Sequence, residues 1–464
     1  MINHEKKQEN RTESPLAPNS TLIVGLGKTG LSCVRYLHAQ GVSVVVTDSR
    51  VTPPGLDALR QELPEVPVYV GGFEPEVFAA ATQLVVSPGV PVSEPLIQAA
   101  LERGVPVIGD VELFVQSAQA PICAITGSNG KSTVTTLVGL MARQSGQTVA
   151  VGGNLGEPVL DLLADDVALY VIELSSFQLE TTPGLRADVA VVLNIAADHL
   201  DRYPNLAAYA QTKANIYRRA RVAVVNRDDP RVVAMPRDAG TSEIGFTMGE
   251  PNADDFGLRV VDGESWLCRG ATPLMPTSEV ALSGRHNLAN ALAALALWTA
   301  IAPDDGLINA LSVLRTFPGL AHRSELVGER DGVRWYDDSK GTNPGATVAA
   351  LEGLVPDGAT GRAVLIAGGE GKGADFASLR PAVTRAARAV VLIGRDASLI
   401  ERELSGSVPL CHAADMADAV RQAADLTRPG DCVLLSPACA SFDMFDNYAH
   451  RGRVFAEAVR RRLS

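Results

Sequence analysis

From Thr21 onward the chain repeats one local pattern: a short apolar strand, a glycine-rich turn, then a helix. Thr21-Leu22-Ile23-Val24 reads as a strand, with a helix expected over 31–40, the next strand over 42–46, and further strands at 84–86 and 105–108. A second run begins at Pro121-Ile122-Cys123-Ala124-Ile125-Thr126, with strands expected at 168–172, 189–194 and 222–225. The stretch 240–282 is rich in turns and short alternating runs and reads as a small β insertion; helical residues 288–300 follow. A third run starts near Leu320, with strands expected at 333–336, 363–367, 390–393 and 432–435. Strands alternating with helices dictate parallel sheets covered by helices, so the fold class is α/β. At roughly 150 residues per domain, this length suggests about three domains. The divisions expected are a polar, disordered leader at 1–20, a Rossmann-like domain at 21–110, a central P-loop mononucleotide-binding domain at 111–319, and a C-terminal Rossmann-like domain at 320–464.

Composition narrows the function classes. The net charge is -12, which lacks the basic footprint of a nucleic-acid binder. None of the six cysteines form a C-x-x-C pair, so they read as reduced, mostly buried thiols. The first ten residues contain no apolar run of the kind a secretory signal needs, and the most apolar helix-like run, 291–302, is too short to span a bilayer. The cytoplasm is the expected compartment, with no membrane span.

Two glycine-rich turns point to phosphate. Gly25-Leu26-Gly27-Lys28-Thr29-Gly30 lies between a strand and a helix, and Asp48 ends the next strand. Such a turn lets backbone approach a pyrophosphate at a helix N-terminus. NAD, another pyrophosphate such as a UDP-sugar, and a bare packing turn all satisfy this pattern. Thr126-Gly127-Ser128-Asn129-Gly130-Lys131-Ser132-Thr133 is a variant phosphate loop, with Ile125 where the usual spacing has glycine. Its N–H groups form an anion nest, Lys131 supplies positive charge, and Ser132 or Thr133 reaches Mg²⁺. The alternative is a glycine turn without a ligand. Glu173 ends an apolar strand, where a carboxylate beside a phosphate loop suits Mg²⁺; an exposed strand-end glutamate is the alternative. Asp198-His199 follows another strand, and His199 alone reads first as a structural histidine. Lys213, on the next helix, reads as a surface charge.

Together these residues resemble the Mur ligase family. The resemblance rests on Thr126 to Thr133 (TGSNGKST), Glu173 to Gln178 (ELSSFQ), Asn194 to Tyr203 (NIAADHLDRY), Gly284 to Asn290 (GRHNLAN), His322-Arg323 and Asp338-Ser339-Lys340-Gly341-Thr342-Asn343-Pro344. It covers nearly everything after residue 20. The stretches Gly25 to Gly30, Ser87-Pro88-Gly89, Gly368-Gly369-Glu370-Gly371-Lys372 and Ser436 to Ser441 resemble the branch that adds D-glutamate to UDP-N-acetylmuramoyl-L-alanine, in peptidoglycan precursor synthesis. That resemblance implies an ATP-dependent ligase acting through an acyl phosphate, and a monomer. It implies a UDP site at Gly27, Lys28, Thr29, Asp48, Ser49, Ser87 and Gly89. It implies an ATP site at Gly127, Ser128, Asn129, Gly130, Lys131, Ser132 and Thr133 with Asn287, Asn290, Arg323 and Asp338. Two Mg²⁺ ions are implied, the first on Ser132 and Glu173, the second on His199 and a carbamylated Lys213. Asn154 is expected near the γ-phosphate or the substrate carboxylate. Lys340, Thr342, Lys372, Ser441 and Tyr448 are expected at the glutamate; Tyr448 stands where the family often has phenylalanine.

Three rivals remain at this level. An NAD-dependent oxidoreductase would use 25–30 and Asp48 but leaves the phosphate loop and the Glu173/His199 pair without a task. A nucleotide-gated regulatory protein would bind ATP without turnover. Another amino-acid ligase of the superfamily, such as a folate polyglutamylating enzyme, would share the loop and differ in substrate.

Overall fold

The structure, a computed structural model, describes residues 19–282, 284–302, 306–356 and 358–463. The expected leader therefore lies outside the described residues except for Asn19 and Ser20. Ser20 is fully buried, and its carbonyl accepts the N–H of Thr82 at 3.2 Å. The chain divides into two compact units. One takes the chain up to Gln119 together with Gly152–Asp165 and Phe177–Leu185; the other takes Ala120–Val151, Asp166–Ser176 and the chain from Arg186 on.

The first unit is built on a wholly parallel sheet of β1 (Thr21–Val24), β2 (Val44–Asp48), β3 (Val68–Val70), β4 (Gln83–Val86) and β5 (Val107–Ile108). The spatial order is β3-β2-β1-β4-β5, so the winding reverses between β1 and β4. A crevice for ligands forms at the carboxyl ends of strands where the order reverses. The helix after β1 runs Lys28–Ala39 and starts before the expected 31. Its first turn, Lys28-Thr29-Gly30, carries no apolar residue, so hydrophobic periodicity could not mark it.

The second unit holds two sheets. The larger contains β6 (Ile122–Thr126), β7 (Val149–Gly153), β8 (Leu169–Glu173), β9 (Val189–Val192), β10 (Val222–Asn226), β11 (Ser242–Phe246), β12 (Phe256–Val261), β13 (Glu264–Arg269) and β14 (Thr272–Pro276). Its order is β14-β13-β12-β11-β10-β9-β6-β8-β7. The stretch 240–282 is therefore no separate insertion. It carries β11 to β14, which extend the central sheet, parallel as far as β12 and antiparallel beyond. Phe246, Phe256, Leu267 and Met275 bury their side chains in the same core as Cys123, Val134 and Trp298, so the alternation there marks one buried sheet face. Helix Arg285–Ile301 is buried at every residue from 290 to 298, as befits a segment apolar on all sides.

The smaller sheet contains β15 (Glu325–Arg330), β16 (Val333–Asp337), β17 (Ala363–Gly368), β18 (Ala387–Ile393), β19 (Leu410–His412) and β20 (Cys432–Leu435), in the order β15-β16-β20-β17-β18-β19. All pairs are parallel except β15 with β16. Successive residues feed opposite cores: Leu365 and Leu434 one face, Ile366 and Leu435 the other. Among the described residues no helix is long and apolar enough to cross a membrane, and the six cysteines are free thiols.

Candidate active site

The larger sheet of the second unit places three chain ends side by side. β6 lies between β8 and β9, with Ile125 in register with Glu173 and Thr126 with Val192. All three strands run the same way, so the loop after β6, the end of β8 and the segment after β9 open onto one edge. Glu173 is the last residue of β8 and is 2 % exposed, not the exposed strand-end glutamate of the alternative reading.

The phosphate loop is held rigidly. Gly130 sits at φ +86° at the N-terminus of helix Lys131–Gln144, and a Cβ there would collide with Oδ1 of Asn290. Only glycine adopts that backbone without strain. Asn194, just past β9, accepts the N–H of Asn129 at 2.9 Å and donates to its carbonyl at 3.0 Å. Lys131 Nζ donates to the carbonyls of Gly127 and Ser128 at 2.8 and 2.9 Å, so the ammonium lies across the loop. Burial lowers its pKa, while Glu173 and Asp198 oppose that shift.

Lys213 is not the surface charge its sequence position suggests. It is 1 % exposed on helix Leu206–Ala214. Its Nζ donates to Thr126 Oγ1 at 3.2 Å and stands 4.8 Å from the centre of the Tyr209 ring. Burial, and then the charge of Lys131, push its pKa well below that of an ordinary lysine. His199 adopts φ +54°, and its backbone N–H donates to Asp198 Oδ1 at 2.9 Å. Burial lowers its imidazole pKa, which favours the neutral, metal-ligating form. The Ser132 hydroxyl and Glu173 carboxylate offer oxygen donors of the kind Mg²⁺ takes, and the His199 imidazole offers a softer nitrogen donor. Lys213 as an ammonium does not fit; it fits only once its nitrogen carries a carboxylate.

The smaller sheet contributes from the ends of β16, β20 and β17. Arg323 Nη2 donates to Ser132 Oγ at 2.7 Å, reaching into the phosphate loop. Asp338 accepts from Ser436 Oγ at 2.7 Å, and burial raises its pKa to about 7. Lys340 Nζ stands 3.8 Å above the Tyr448 ring, and burial, then Arg323, lower its pKa to about 8. A cavity of about 310 Å³ is lined by Asn129, Gly130, Asn287, Asn290, Arg323, Asp338 and Lys340. Of the expected ATP residues, Asn129, Gly130, Thr133, Asn287, Asn290, Arg323 and Asp338 line it and Gly127, Ser128, Lys131 and Ser132 do not, while Lys340, expected at the glutamate, also lines it. A smaller pocket gathers Asp198, His199, Thr342, Asn343, Glu370 and Lys372. Ser441 is buried and lines neither.

The remaining expected residues belong to the first unit. The turn after β1 and Ser87-Pro88-Gly89 after β4 flank the winding reversal; Ser87 Oγ donates to the carbonyl of Gly25 at 2.8 Å. Lys28, Ser49 and Gly89 are exposed. Asp48 accepts the N–H of Leu26 at 2.7 Å and pairs with Arg50 at 2.7 Å. Burial opposes its charge, but these donors hold its carboxyl below the usual range. Asp48 thereby shapes the turn, instead of standing free for a ribose hydroxyl. Asn154 is exposed after β7 and groups with this unit.

Sequence reading missed Tyr209, Asn343 and Arg451. Arg451, on helix Tyr448–Leu463, is 1 % exposed. Its guanidinium donates to Ser339 Oγ and carbonyl, both at 2.9 Å, and to the carbonyls of Cys439 and Ala440 at 3.1 and 3.2 Å. It ties the loop of Lys340 to the loop of Ser441, and burial lowers its pKa to about 10. Arg451→Met orphans these buried oxygens, so urea unfolding is expected to show a loss of about 3 kcal/mol. A loss below about 1 kcal/mol would mean that the loops hold themselves.

Known proteins resemble this chain along nearly all of its length. Residues 19–109 match the model of the Mur ligase MurD-like N-terminal domain, 125–298 that of the Mur ligase middle domain, and 322–439 that of the Mur ligase glutamate ligase domain. The chain is 53% identical over 456 residues to a UDP-N-acetylmuramoylalanine--D-glutamate ligase from Nitrosococcus oceani, covering 97% of this chain and 99% of that protein. A protein of the same name from Pseudomonas aeruginosa is 52% identical over 440 residues, covering 94% and 97%. Among solved structures, a UDP-N-acetylmuramate-alanine ligase from Thermotoga maritima superposes with a TM-score of 0.60 at 17% identity, over 96% of this chain and 99% of that one. A MurF ligase from Thermotoga maritima, solved with ADP, gives 0.56 at 16% identity, over 90% and 95%. At such identities these two structures speak to fold alone.

Proposed function

The chain belongs to the Mur ligase family, and on that premise we propose that it joins D-glutamate to the alanyl carboxyl of UDP-N-acetylmuramoyl-L-alanine in peptidoglycan precursor synthesis, cleaving ATP to ADP and phosphate. Near-full-length likeness to curated relatives of that name supports the substrates. One observation carries the chemistry: Arg323 and Lys340 converge with Asn290 and Asp338 on a single cleft of the second unit, and Arg323 reaches Ser132, the residue next to Lys131.

A carboxylate resists an amine because its leaving group is oxide. Phosphorylation removes that obstacle. One carboxylate oxygen bonds to the γ-phosphorus of ATP as the bond to ADP breaks. The glutamate nitrogen then bonds to the acyl carbon, the carbon–oxygen bond breaks, and phosphate departs with that oxygen while the nitrogen loses a proton. The loop from Gly127 to Thr133 cradles the phosphates, and Lys131 stabilises charge on the transferring group. Asn287 and Asn290 take the adenine; Arg323 and Asp338 take phosphates and ribose. The turns at Gly27, Lys28, Thr29, Asp48, Ser49, Ser87 and Gly89 take the UDP. Lys340, Thr342, Lys372, Ser441 and Tyr448 take the glutamate, whose two carboxylates call for cationic and hydroxyl donors. Ser132 with Glu173, and His199 with a carbamylated Lys213, would hold two Mg²⁺ ions, which would supply positive charge to the phosphoryl transfer. The same reading divides the chain at 21–110, 111–319 and 320–464 into UDP, ATP and amino-acid parts, and makes the protein a cytoplasmic monomer.

A substrate panel tests this. Phosphate release is expected with UDP-N-acetylmuramoyl-L-alanine, ATP, Mg²⁺ and D-glutamate, and at least about a hundredfold less when D-glutamate is replaced by L-glutamate, lysine or meso-diaminopimelate. Equal release with lysine or meso-diaminopimelate would reject the assignment.

A further inference from the structure

Asn343 ends the loop that carries Lys340 and Thr342, and it precedes Pro344, the first residue of helix Pro344–Leu354. Its side chain is 5 % exposed and is used in three directions. Oδ1 accepts the N–H of Ala346 at 2.9 Å, which caps the helix. Nδ2 donates to Asn129 Oδ1 at 3.2 Å and to Asp198 Oδ2 at 3.2 Å. Asn129 is the residue of the phosphate loop fixed at both backbone groups by Asn194. Asp198 accepts the N–H of His199. The packing around the bridge is close: a Cβ on Gly345 would lie 3.3 Å from Ala196 Cβ and 3.5 Å from Asn129 Nδ2.

A cap needs only an acceptor oxygen, and serine or aspartate serves about as well as asparagine. The two donor contacts use the half of the side chain that capping leaves idle. Both reach loops of the other sheet in this unit. One belongs to the phosphate loop, and the other adjoins His199. A single carboxamide therefore joins the loop that takes the nucleotide to the loop expected to take the amino acid.

We infer that Asn343 is a positioning residue that couples nucleotide binding to amino-acid binding, by holding Thr342 and Lys340 in register with Asn129 and Asp198. This deepens the ligase reading above and rests on it. Asn343 borders the small pocket, but both its amide donor contacts are spent on the two loops, and it acts through them. A nucleotide that orders Asn129 orders Thr342 through the bridge, and linkage requires the amino acid to tighten the nucleotide equally.

Asn343→Ser and Asn343→Thr separate the bridge from the cap, because both keep an acceptor oxygen, lose the amide donors and add no charge beside Asp198. Steady-state kinetics are measured with D-glutamate varied at saturating ATP, then with ATP varied at D-glutamate far below its KM, where the coupling does not enter the ATP KM, alongside thermal melting. For both variants the glutamate KM is expected to rise at least about tenfold, while the ATP KM stays within about threefold and kcat falls less than the KM rises. The melting temperature is expected to stay within about 3 °C of wild type. A purely capping role predicts a glutamate KM within about twofold of wild type in both variants, and that result overturns the inference. So does a rise in the ATP KM as large as that for glutamate, which would signal general loosening. Should the wild type turn over a different amino acid, the substrate assignment has failed instead, and the same ratio, read with that amino acid, decides the coupling.

Discussion

Lys131→Ala is expected to lower turnover by at least about a thousandfold while leaving the melting temperature nearly unchanged. Among the described residues the side chain donates to carbonyls of its own loop, at Gly127 and Ser128, and that loop is independently braced by Asn194. Truncation therefore breaks no hydrogen bond to a charged group, although Glu173 and Asp198 lose a nearby cation. Phosphoryl transfer spreads negative charge over the oxygens of the moving group, and a cation fixed in a sheltered cleft stabilises that state far more than it stabilises the bound substrate. The lysine can leave two neutral carbonyls for a phosphate, which is the better acceptor. Phosphate release by the purified variant checks this. Activity within about tenfold of wild type would reduce Lys131 to a brace for the loop.

Lys213→Ala is expected to cost at least about a hundredfold in turnover, with partial recovery in acetate or formate. An ammonium buried beside the Tyr209 ring sits badly, since burial and the like charge of Lys131 outweigh the attraction of Asp198 and Glu173. The neutral amine that burial favours is the form that adds carbon dioxide. The nitrogen–carbon bond forms, a proton leaves the nitrogen, and a carbamate anion results. That anion replaces repulsion from Lys131 with attraction and offers oxygens to a hard cation. Alanine leaves a space the length of the lost side chain, which a small carboxylate fills in the same place. Rates measured across a series of acetate concentrations decide the matter. Unchanged activity, or a loss that no carboxylate relieves, would make Lys213 a packing residue.

Both outcomes bear on what the sequence could disclose. The strand–turn–helix at Lys131 is local, so its context was legible from pattern alone. The β/α alternation likewise announced α/β layers with largely parallel sheets. Burial of Lys213 was not legible, because it depends on Thr126, far off in the chain, and on Tyr209 across the same helix. The stretch 240–282 read as an insertion because alternation reports one buried face but not which sheet supplies it; β11 finds its partner β10 only in three dimensions. Asn343 offered a faint signal, an asparagine before a proline that opens a helix, which announces a cap. Its donor half, bonded to Asn129 and Asp198, had no signature, and neither did Arg451 with its carbonyl partners. Residues whose roles are set by neighbours along the chain could be found; those set by the meeting of two sheets could not.

The central claim is that ATP activates a sugar-nucleotide carboxyl group as an acyl phosphate at the Lys131 loop. The most direct measurement follows oxygen. With both alanyl carboxyl oxygens of UDP-N-acetylmuramoyl-L-alanine heavy-isotope labelled, the account predicts one labelled oxygen in every phosphate released during amide formation. Unlabelled phosphate, carrying oxygen from water in its place, would contradict it.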